Sequence, residues 1–186
     1  MGYIFDPEQM HQLARTHAGK PVDEAVAAIR DALDRAWPGS MTSKPEWILA
    51  IYGGTTATMT VLHASLTEYV LVYGSPIGTS GFSGRYLFDC WDFMLSGEMR
   101  TFIDDNSRVG EIYRPGDKAF LPARRAKGYS IEPGSWMLEY SRGFIPSGLP
   151  FALAEVSHSS PDLPTLARTL KIYGALVVKN LLKGKI

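Results

Sequence analysis

Hydrophobic positions at the two ends of the chain follow a helical period, whereas those in the middle follow the period of β-strands. Apolar residues recur at three- and four-residue steps over residues 6–37 and again over 147–184, which predicts two N-terminal and two C-terminal helices. Between about residues 47 and 142, short β-prone runs alternate with tight-turn sequences. This rhythm is typical of a closed barrel or a sandwich. We therefore predict one mainly β domain over residues 1–186, with flanking helices.

The predicted final helix is strongly amphipathic. Its apolar positions begin at Leu163 and end near Leu181, and its polar side carries Arg168, Lys171 and further lysines. A wide apolar face beside a cationic one suits a helix that lies in a membrane interface. An amphipathic helix that packs on its own barrel would show the same pattern. Both interpretations remain open from the pattern alone.

Composition and charge exclude several classes of protein. The formal net charge is zero, so the chain has no electrostatic footprint for nucleic acid. A single cysteine, Cys90, allows no internal disulfide. No run of about 18 apolar residues occurs, so we expect no transmembrane segment in this sequence. The first ten residues carry acids and lack the apolar stretch of a secretory signal.

Motifs for a metal or a cofactor are not found. The four histidines are far apart and form no HxH or HExxH pair, so we expect neither a metal nor a cofactor. The glycine-rich stretch at 74–84 lacks the Gly-Lys-Ser/Thr ending of a phosphate loop, and we interpret it as a shaped connection between strands. Ser80, Ser83 and Cys90 have no adjacent base in sequence, so nothing supports nucleophilic catalysis.

Acidic residues within apolar strands are the informative anomaly. Side chains alternate along the predicted strand at 86–96, so Asp92 shares a face with Phe88 and Met94, whereas Asp89 lies on the other face. In the predicted strand at 136–141, Glu139 shares its face with Met137.

Carboxylates in such surroundings are desolvated, which raises their pKa and favours the protonated form near neutral pH. Two facing carboxyl groups would share a proton, so that one acts as acid and the other as base. Alternatively, each acid reaches a turn amide, an arginine such as Arg142, or water at a strand end. Glu68 is open to the same two interpretations, and we favour a structural role because it begins its strand.

Several collinear segments resemble the sigma receptor and fungal sterol delta-8–delta-7 isomerase family. They are YIFDP at 3–7, LHASLTEYVL at 62–71, GTSGFSGRY at 78–86, YRPG at 113–116, and WMLEY at 136–140 followed by GFIPS at 143–147. The resemblance covers the chain from about residue 3 to its C-terminus.

The resemblance implies a cupin-like β-barrel closed by helices, a membrane-facing pair of C-terminal helices, and a homotrimer. It also implies peripheral association with a membrane like that of the endoplasmic reticulum. Most family members begin with a transmembrane helix, which this sequence does not match.

By position, Glu139 matches the glutamate that binds the ligand amine in the sigma receptor, Asp92 its aspartate partner, and Tyr69 an aromatic pocket residue. Leu121 stands where the family has a pocket histidine, and Asp89 is the alternative second acid. We expect Phe88, Met94 and Met137 to line the same ligand site.

Two hypotheses of function follow, with a third that is purely structural. A dry pocket with one protonated and one ionised carboxylate could shift a ring double bond by protonating one carbon and deprotonating its neighbour. The first hypothesis is therefore an isomerase of sterols or related polycyclic lipids that uses Glu139 with Asp92 or Asp89. The second is a non-catalytic, sigma-receptor-like binder of sterols and cationic amphiphilic amines. In the third, the acids only hold the barrel together.

Overall fold

The computed structural model describes residues 2–186 and contains four α-helices and ten strands in that range. The helices are α1 (Pro7–His17), α2 (Val22–Ala36), α3 (Leu149–His158) and α4 (Leu163–Leu182), and a 3₁₀ turn (Ile145–Gly148) precedes α3. The strands are β1 (Trp47–Tyr52), β2 (Thr55–Ala64), β3 (Glu68–Ser75), β4 (Thr79–Phe82), β5 (Phe88–Ser96), β6 (Met99–Ile103), β7 (Glu111–Tyr113), β8 (Lys118–Leu121), β9 (Lys127–Ile131) and β10 (Ser135–Gly143). The prediction of a mainly β fold with flanking helices is confirmed.

The strands form two antiparallel sheets. The larger sheet has the order β1-β2-β3-β10-β5-β8, and the smaller one has the order β4-β9-β6-β7. Hydrogen-bonded pairing does not run from one sheet into the other among residues 2–186, so the predicted barrel is not closed. Side chains from both sheets meet between them, as the 3.0 Å hydrogen bond between the hydroxyl groups of Tyr73 and Tyr129 illustrates.

Alternation along β5 and β10 separates the two faces of the larger sheet. Trp91 and Phe93 point to one side and pack with Leu138 and Tyr140 in one hydrophobic cluster. Neighbouring residues such as Met137 belong to a second cluster between the sheets. The sequence showed apolar residues on both faces of these strands, and the structure explains why, because both faces are buried.

Helices α1 and α2 cover the outer face of the larger sheet. Met10, Ala14 and Ile29 are fully buried there against the sheet. Helix α1 begins where the sequence predicts, because the Asp6 carboxylate accepts hydrogen bonds from the backbone N–H groups of Glu8 and Gln9. The N-terminal helices thus complete the core on the side opposite to the smaller sheet.

The glycine-rich stretch at 74–84 is more than a connection, because it contains strand β4 at the edge of the smaller sheet. A Cβ atom at Gly81 would lie 2.3 Å from the backbone oxygen of Gly53, so only glycine permits this approach of the two chains. Gly78 and Gly84 on either side have φ angles of +76° and +83°, in the left-handed region that favours glycine.

The C-terminal helices pack on the edge of the larger sheet. Leu176 of α4 contacts Val61 and Ala64 of β2 in a small hydrophobic cluster. Part of the basic side of α4 points inward, since Lys179 donates to the backbone oxygen of Met41 at 2.7 Å and Arg168 pairs with Glu46 at 2.9 Å. Large apolar side chains on these helices are exposed nonetheless, among them Leu149, Leu153, Leu163, Val178, Leu181 and Leu182. Within residues 2–186, none of the helices has the length and hydrophobicity needed to span a bilayer.

Candidate functional site

Glu139 and Asp92 lie directly opposite each other on neighbouring strands. The antiparallel register of β10 and β5 pairs their Cα positions, so both side chains project from the same face of the larger sheet. Asp92 is only 2% exposed. Glu139 is partly accessible because it faces an internal cavity. The register therefore brings together the two acids that the sequence singled out.

Aromatic side chains surround the Glu139 carboxyl group. The hydroxyl group of Tyr69, on the adjacent strand β3, donates a hydrogen bond to the Glu139 carboxylate. The ring of Phe88 packs edge-on against Tyr69, with 5.8 Å between ring centroids, and stacks on Tyr86 at 4.7 Å. These contacts hold the carboxyl group in a fixed position at an apolar wall.

The cavity has a large outer part and a small inner part. The outer part has a volume of about 440 Å³ and lies between the larger sheet and the C-terminal helices. It is lined mainly by apolar and aromatic residues, including Tyr52, Phe151, Leu170 and Tyr173, and Glu139 is its only charged lining residue within the described chain. Its volume falls within the usual range for small-molecule sites.

The inner part of the cavity lies between the two sheets and has a volume of about 80 Å³. Its lining adds Asp92 and Lys127 to residues shared with the outer part. The ammonium group of Lys127 reaches from β9 in the smaller sheet and forms a buried ion pair with the Asp92 carboxylate. It also lies 5.5 Å from the centroid of the Tyr129 ring. The inner part therefore holds two carboxyl groups and one ammonium group.

The surroundings shift the protonation equilibria of these groups. Burial, followed by the negative charge of Asp92, raises the pKa of Glu139 to about 7, although the Tyr69 hydroxyl and the Lys127 ammonium oppose this rise. Burial lowers the pKa of Lys127, but the Asp92 carboxylate outweighs burial and holds the pKa above its ordinary value. Near neutral pH, Glu139 thus exchanges a proton readily beside an Asp92–Lys127 ion pair.

Cys90 lies beside the two acids on β5. The candidate ligand atoms of Cys90, Asp92 and Glu139 are all within 4.8 Å of one another, which is close enough to bind one cation. Lys127 already supplies a positive charge to Asp92, however. Burial raises the pKa of the Cys90 thiol well above its ordinary value, so this group stays protonated rather than acting as a thiolate ligand or nucleophile.

Several residues predicted from the sequence lie around the cavity, and others do not. Glu139, Tyr69 and Phe88 line both parts, and Asp92 and Met137 line the inner part. Leu121, at the position of the family histidine, also lines the inner part.

Asp89 and Met94 are not in the lining of either part. The Asp89 carboxylate accepts a hydrogen bond of 2.9 Å from the backbone N–H of Ala123, which anchors the loop before β9. Met94 is fully buried in the cluster between the sheets. The geometry therefore leaves Asp92 as the acid beside Glu139 and removes Met94 from the ligand contacts.

Lys127 is the main site residue that sequence reasoning missed. The available signal was its position in strand β9, where it alternates with Tyr129 and Ile131 and so shares their inward face. A lysine on an inward, apolar face needs a buried partner. Its partner lies 35 residues away in sequence, on the opposite sheet, and alternation alone does not identify it.

Comparison with known proteins places the chain beside isomerases and receptors. Residues 1–185 match the family described as "ERG2 and Sigma1 receptor like protein". A protein erg2 homolog from Dictyostelium discoideum is 40% identical over 179 residues, which are 96% of this chain and 76% of the relative. Sigma non-opioid intracellular receptor 1 from Xenopus tropicalis is 40% identical over 174 residues, covering 92% of this chain and 78% of the receptor. The C-8 sterol isomerase erg2 of Aspergillus fumigatus is 36% identical over 187 residues, covering 98% and 78%.

Solved structures with a similar chain path include cupins. An RmlC-like cupin from Shewanella frigidimarina is 18% identical, with a TM-score of 0.46 over 56% of this chain and 88% of the cupin. A cupin superfamily protein from Desulfitobacterium hafniense is 20% identical, with a TM-score of 0.42 over 51% of this chain and 83% of that protein. On the family match and the identity to its relatives, the chain belongs to the family of ERG2 and sigma-1 receptor-like proteins.

Proposed function

We propose that this protein is an isomerase that moves the ring double bond of a sterol, or of a related polycyclic lipid, from the delta-8 to the delta-7 position. One observation carries the proposal. Glu139, with a pKa raised to about 7, faces Asp92 at the inner end of an apolar cavity. The relative from Aspergillus fumigatus is named a C-8 sterol isomerase, which supports the same reaction.

The charges and the cavity suit an intermediate with a positive charge. Apolar and aromatic walls take up the hydrocarbon rings and exclude water. A carbocation formed beside Glu139 and Asp92 is stabilised by carboxylates that are already in place. Tyr69 and the aromatic rings next to it keep the carboxyl group of Glu139 oriented.

In the proposed reaction, protonated Glu139 gives its proton to carbon nine, and the electrons of the double bond form the new C–H bond. A cation remains at carbon eight. The Asp92 carboxylate removes a proton from carbon seven, and the electrons of that C–H bond form the new double bond. Transfer of the proton from Asp92 back to Glu139 restores the starting state, so the reaction needs no oxidant and no cofactor.

Turnover of a delta-8 sterol in deuterated water tests the proposal. We expect a delta-7 product that carries deuterium at carbon nine, and we expect Glu139→Gln to abolish it, because an amide is not a proton donor of comparable acidity. The matched control is Glu155→Gln on α3, because Glu155 does not line the cavity. Absence of product with folded wild-type protein would contradict the isomerase function.

A sigma-receptor-like binder of sterols and lipophilic amines is the second candidate function. The specific observation in its favour is that Glu139 is the only charged residue lining the outer cavity in the part of the chain described here. A receptor from Xenopus tropicalis is 40% identical to this chain. Amine binding that depends on Glu139, without turnover of sterol, would favour this function over catalysis.

We also propose that the protein associates with a membrane surface and forms a homotrimer. Exposed leucines and Val178 on the C-terminal helices, which form one wall of the cavity, support a route for a lipid from the membrane to Glu139. The exposed side chains of Phe102, Ile112 and Phe120 offer apolar surface for contact between subunits. Light scattering that gives a monomer both with and without detergent would exclude the trimer.

A further inference from the structure

The ion pair between Lys127 and Asp92 changes the charge that a ligand meets. Lys127 is 8% exposed and Asp92 is 2% exposed, so neither group is solvated by bulk water. Their strands belong to different sheets, and the lysine side chain crosses the space between the sheets to reach the carboxylate. The ammonium group thus occupies the side of Asp92 where a cationic ligand would otherwise bind.

Three charged residues line the inner cavity within the described chain, namely Asp92, Glu139 and Lys127. With Glu139 protonated, the three groups sum to zero charge, and with Glu139 ionised they sum to one negative charge. Without Lys127 each total would be more negative by one unit. In a cavity shielded from water, one unit charge at this range changes ligand affinity by at least about tenfold.

We infer that Lys127 is a specificity-determining residue, which sequesters Asp92 and so makes the cavity favour neutral, sterol-like ligands over cationic amphiphiles. The inference deepens the proposed function, because it rests on the cavity being a site for lipophilic ligands. It also divides the roles of the two acids. A ligand ammonium pairs with Glu139 alone, whereas Asp92 keeps its internal partner.

Two probes with the same alkyl chain test the inference, N,N-dimethyldodecylamine and 1-dodecanol, which differ in the charge of the head group at pH 7. The measured quantity is the ratio of their dissociation constants. We expect Lys127→Met to shift this ratio toward the amine by about tenfold or more, because Asp92 then becomes available. The matched control, Lys118→Met, removes a lysine from β8 whose ammonium contacts Glu8 outside the cavity, and it leaves the ratio unchanged.

The double variant Lys127→Met/Asp92→Asn provides a test that does not depend on an unpaired buried charge. Because Asp92 is already sequestered in the wild-type protein, removing both partners keeps the ratio within about threefold of the wild-type value. If Asp92 instead binds amines in the wild-type protein, the double variant loses about tenfold in preference for the amine, and the inference is overturned. This comparison decides the question even where Lys127→Met alone does not fold.

The remaining outcomes separate the inference from the proposed function. An unchanged ratio in folded Lys127→Met, with both probes bound, overturns the role of Lys127 and leaves the isomerase proposal standing. Shifted ratios without any turnover of a delta-8 sterol support the role of Lys127 and reject the isomerase. If neither probe nor the sterol binds to the wild-type protein, both proposals are wrong.

Discussion

The Lys185 ammonium group donates a hydrogen bond of 2.9 Å to the carboxylate of Glu68, and this buried pair joins the end of the chain to the start of strand β3. The same carboxylate accepts hydrogen bonds from the backbone N–H groups of Ile4, at 2.6 Å, and Phe5, at 3.2 Å. Glu68 therefore ties both ends of the chain to the larger sheet, in line with the structural role that we favoured from the sequence.

Substitution of Glu68 should destabilise the whole domain. Glu68→Gln leaves the Lys185 ammonium buried without a counter-charge, and breaking a buried pair in this way costs on the order of 3–5 kcal/mol. Urea denaturation measures the loss. Glu132→Gln is the control, because Glu132 is exposed and pairs with Arg100 at 3.5 Å on the surface, where such a pair contributes less than about 1 kcal/mol. Equal losses in the two variants would contradict the role of Glu68.

The raised pKa of Glu139 should appear in the pH dependence of stability. Its pKa is about 7 in the folded protein and near 4.5 in the unfolded chain, so the folded state binds more protons between these pH values. Stability is therefore highest below about pH 4.5 for this group and falls as the pH rises to about 7. Glu139→Gln stays neutral and should be more stable than the wild type at pH 8, on the order of 3 kcal/mol, but not at pH 4.5. Urea denaturation at both pH values tests this, and a difference that is independent of pH would contradict it.

The Tyr69 hydroxyl group should control the proton affinity of Glu139. Its hydrogen bond favours the ionised carboxylate, so Tyr69→Phe should raise the pKa of Glu139 further, by on the order of one unit. A carbon-13 NMR titration of the Glu139 carboxyl signal, assigned with Glu139→Gln, measures the shift. Tyr52→Phe removes another hydroxyl group from the cavity wall, one that does not contact Glu139, and should leave the midpoint unchanged. A midpoint that moves downward in Tyr69→Phe would be the opposite of the expected result.

Membrane association should depend on the exposed side of helix α4. Val178 is 56% exposed on this helix, and Val178→Glu should weaken binding to lipid vesicles about tenfold by placing a charge in the interface. Val109 is 55% exposed in the loop before β7, so Val109→Glu is a matched control that should bind normally. Vesicle sedimentation measures both variants. If the two valine variants bind equally well, helix α4 does not contact the membrane.

Local sequence patterns predicted the elements of this fold well. The Asp6-Pro7 start of α1, the helical repeats at both ends and the strands around Asp92 and Glu139 all occur where the patterns indicated. Helix caps and side-chain alternation depend on residues a few positions apart, so a sequence contains the information directly. The inward orientation of Glu139 and Asp92 followed from alternation alone.

The partners of the buried charges followed only from the tertiary structure. Alternation did not reveal that Asp92 pairs with Lys127, that Asp89 anchors a loop, or that Glu68 binds Lys185.

Sequence alone thus determined the family, the helices, the strands and the acids that face inward, because each of these is written in short-range pattern and motif. The tertiary structure decided the charge of the site. Strand register and the packing of one sheet on the other bring Lys127 and Asp92 together across 35 residues, and no local period encodes that approach.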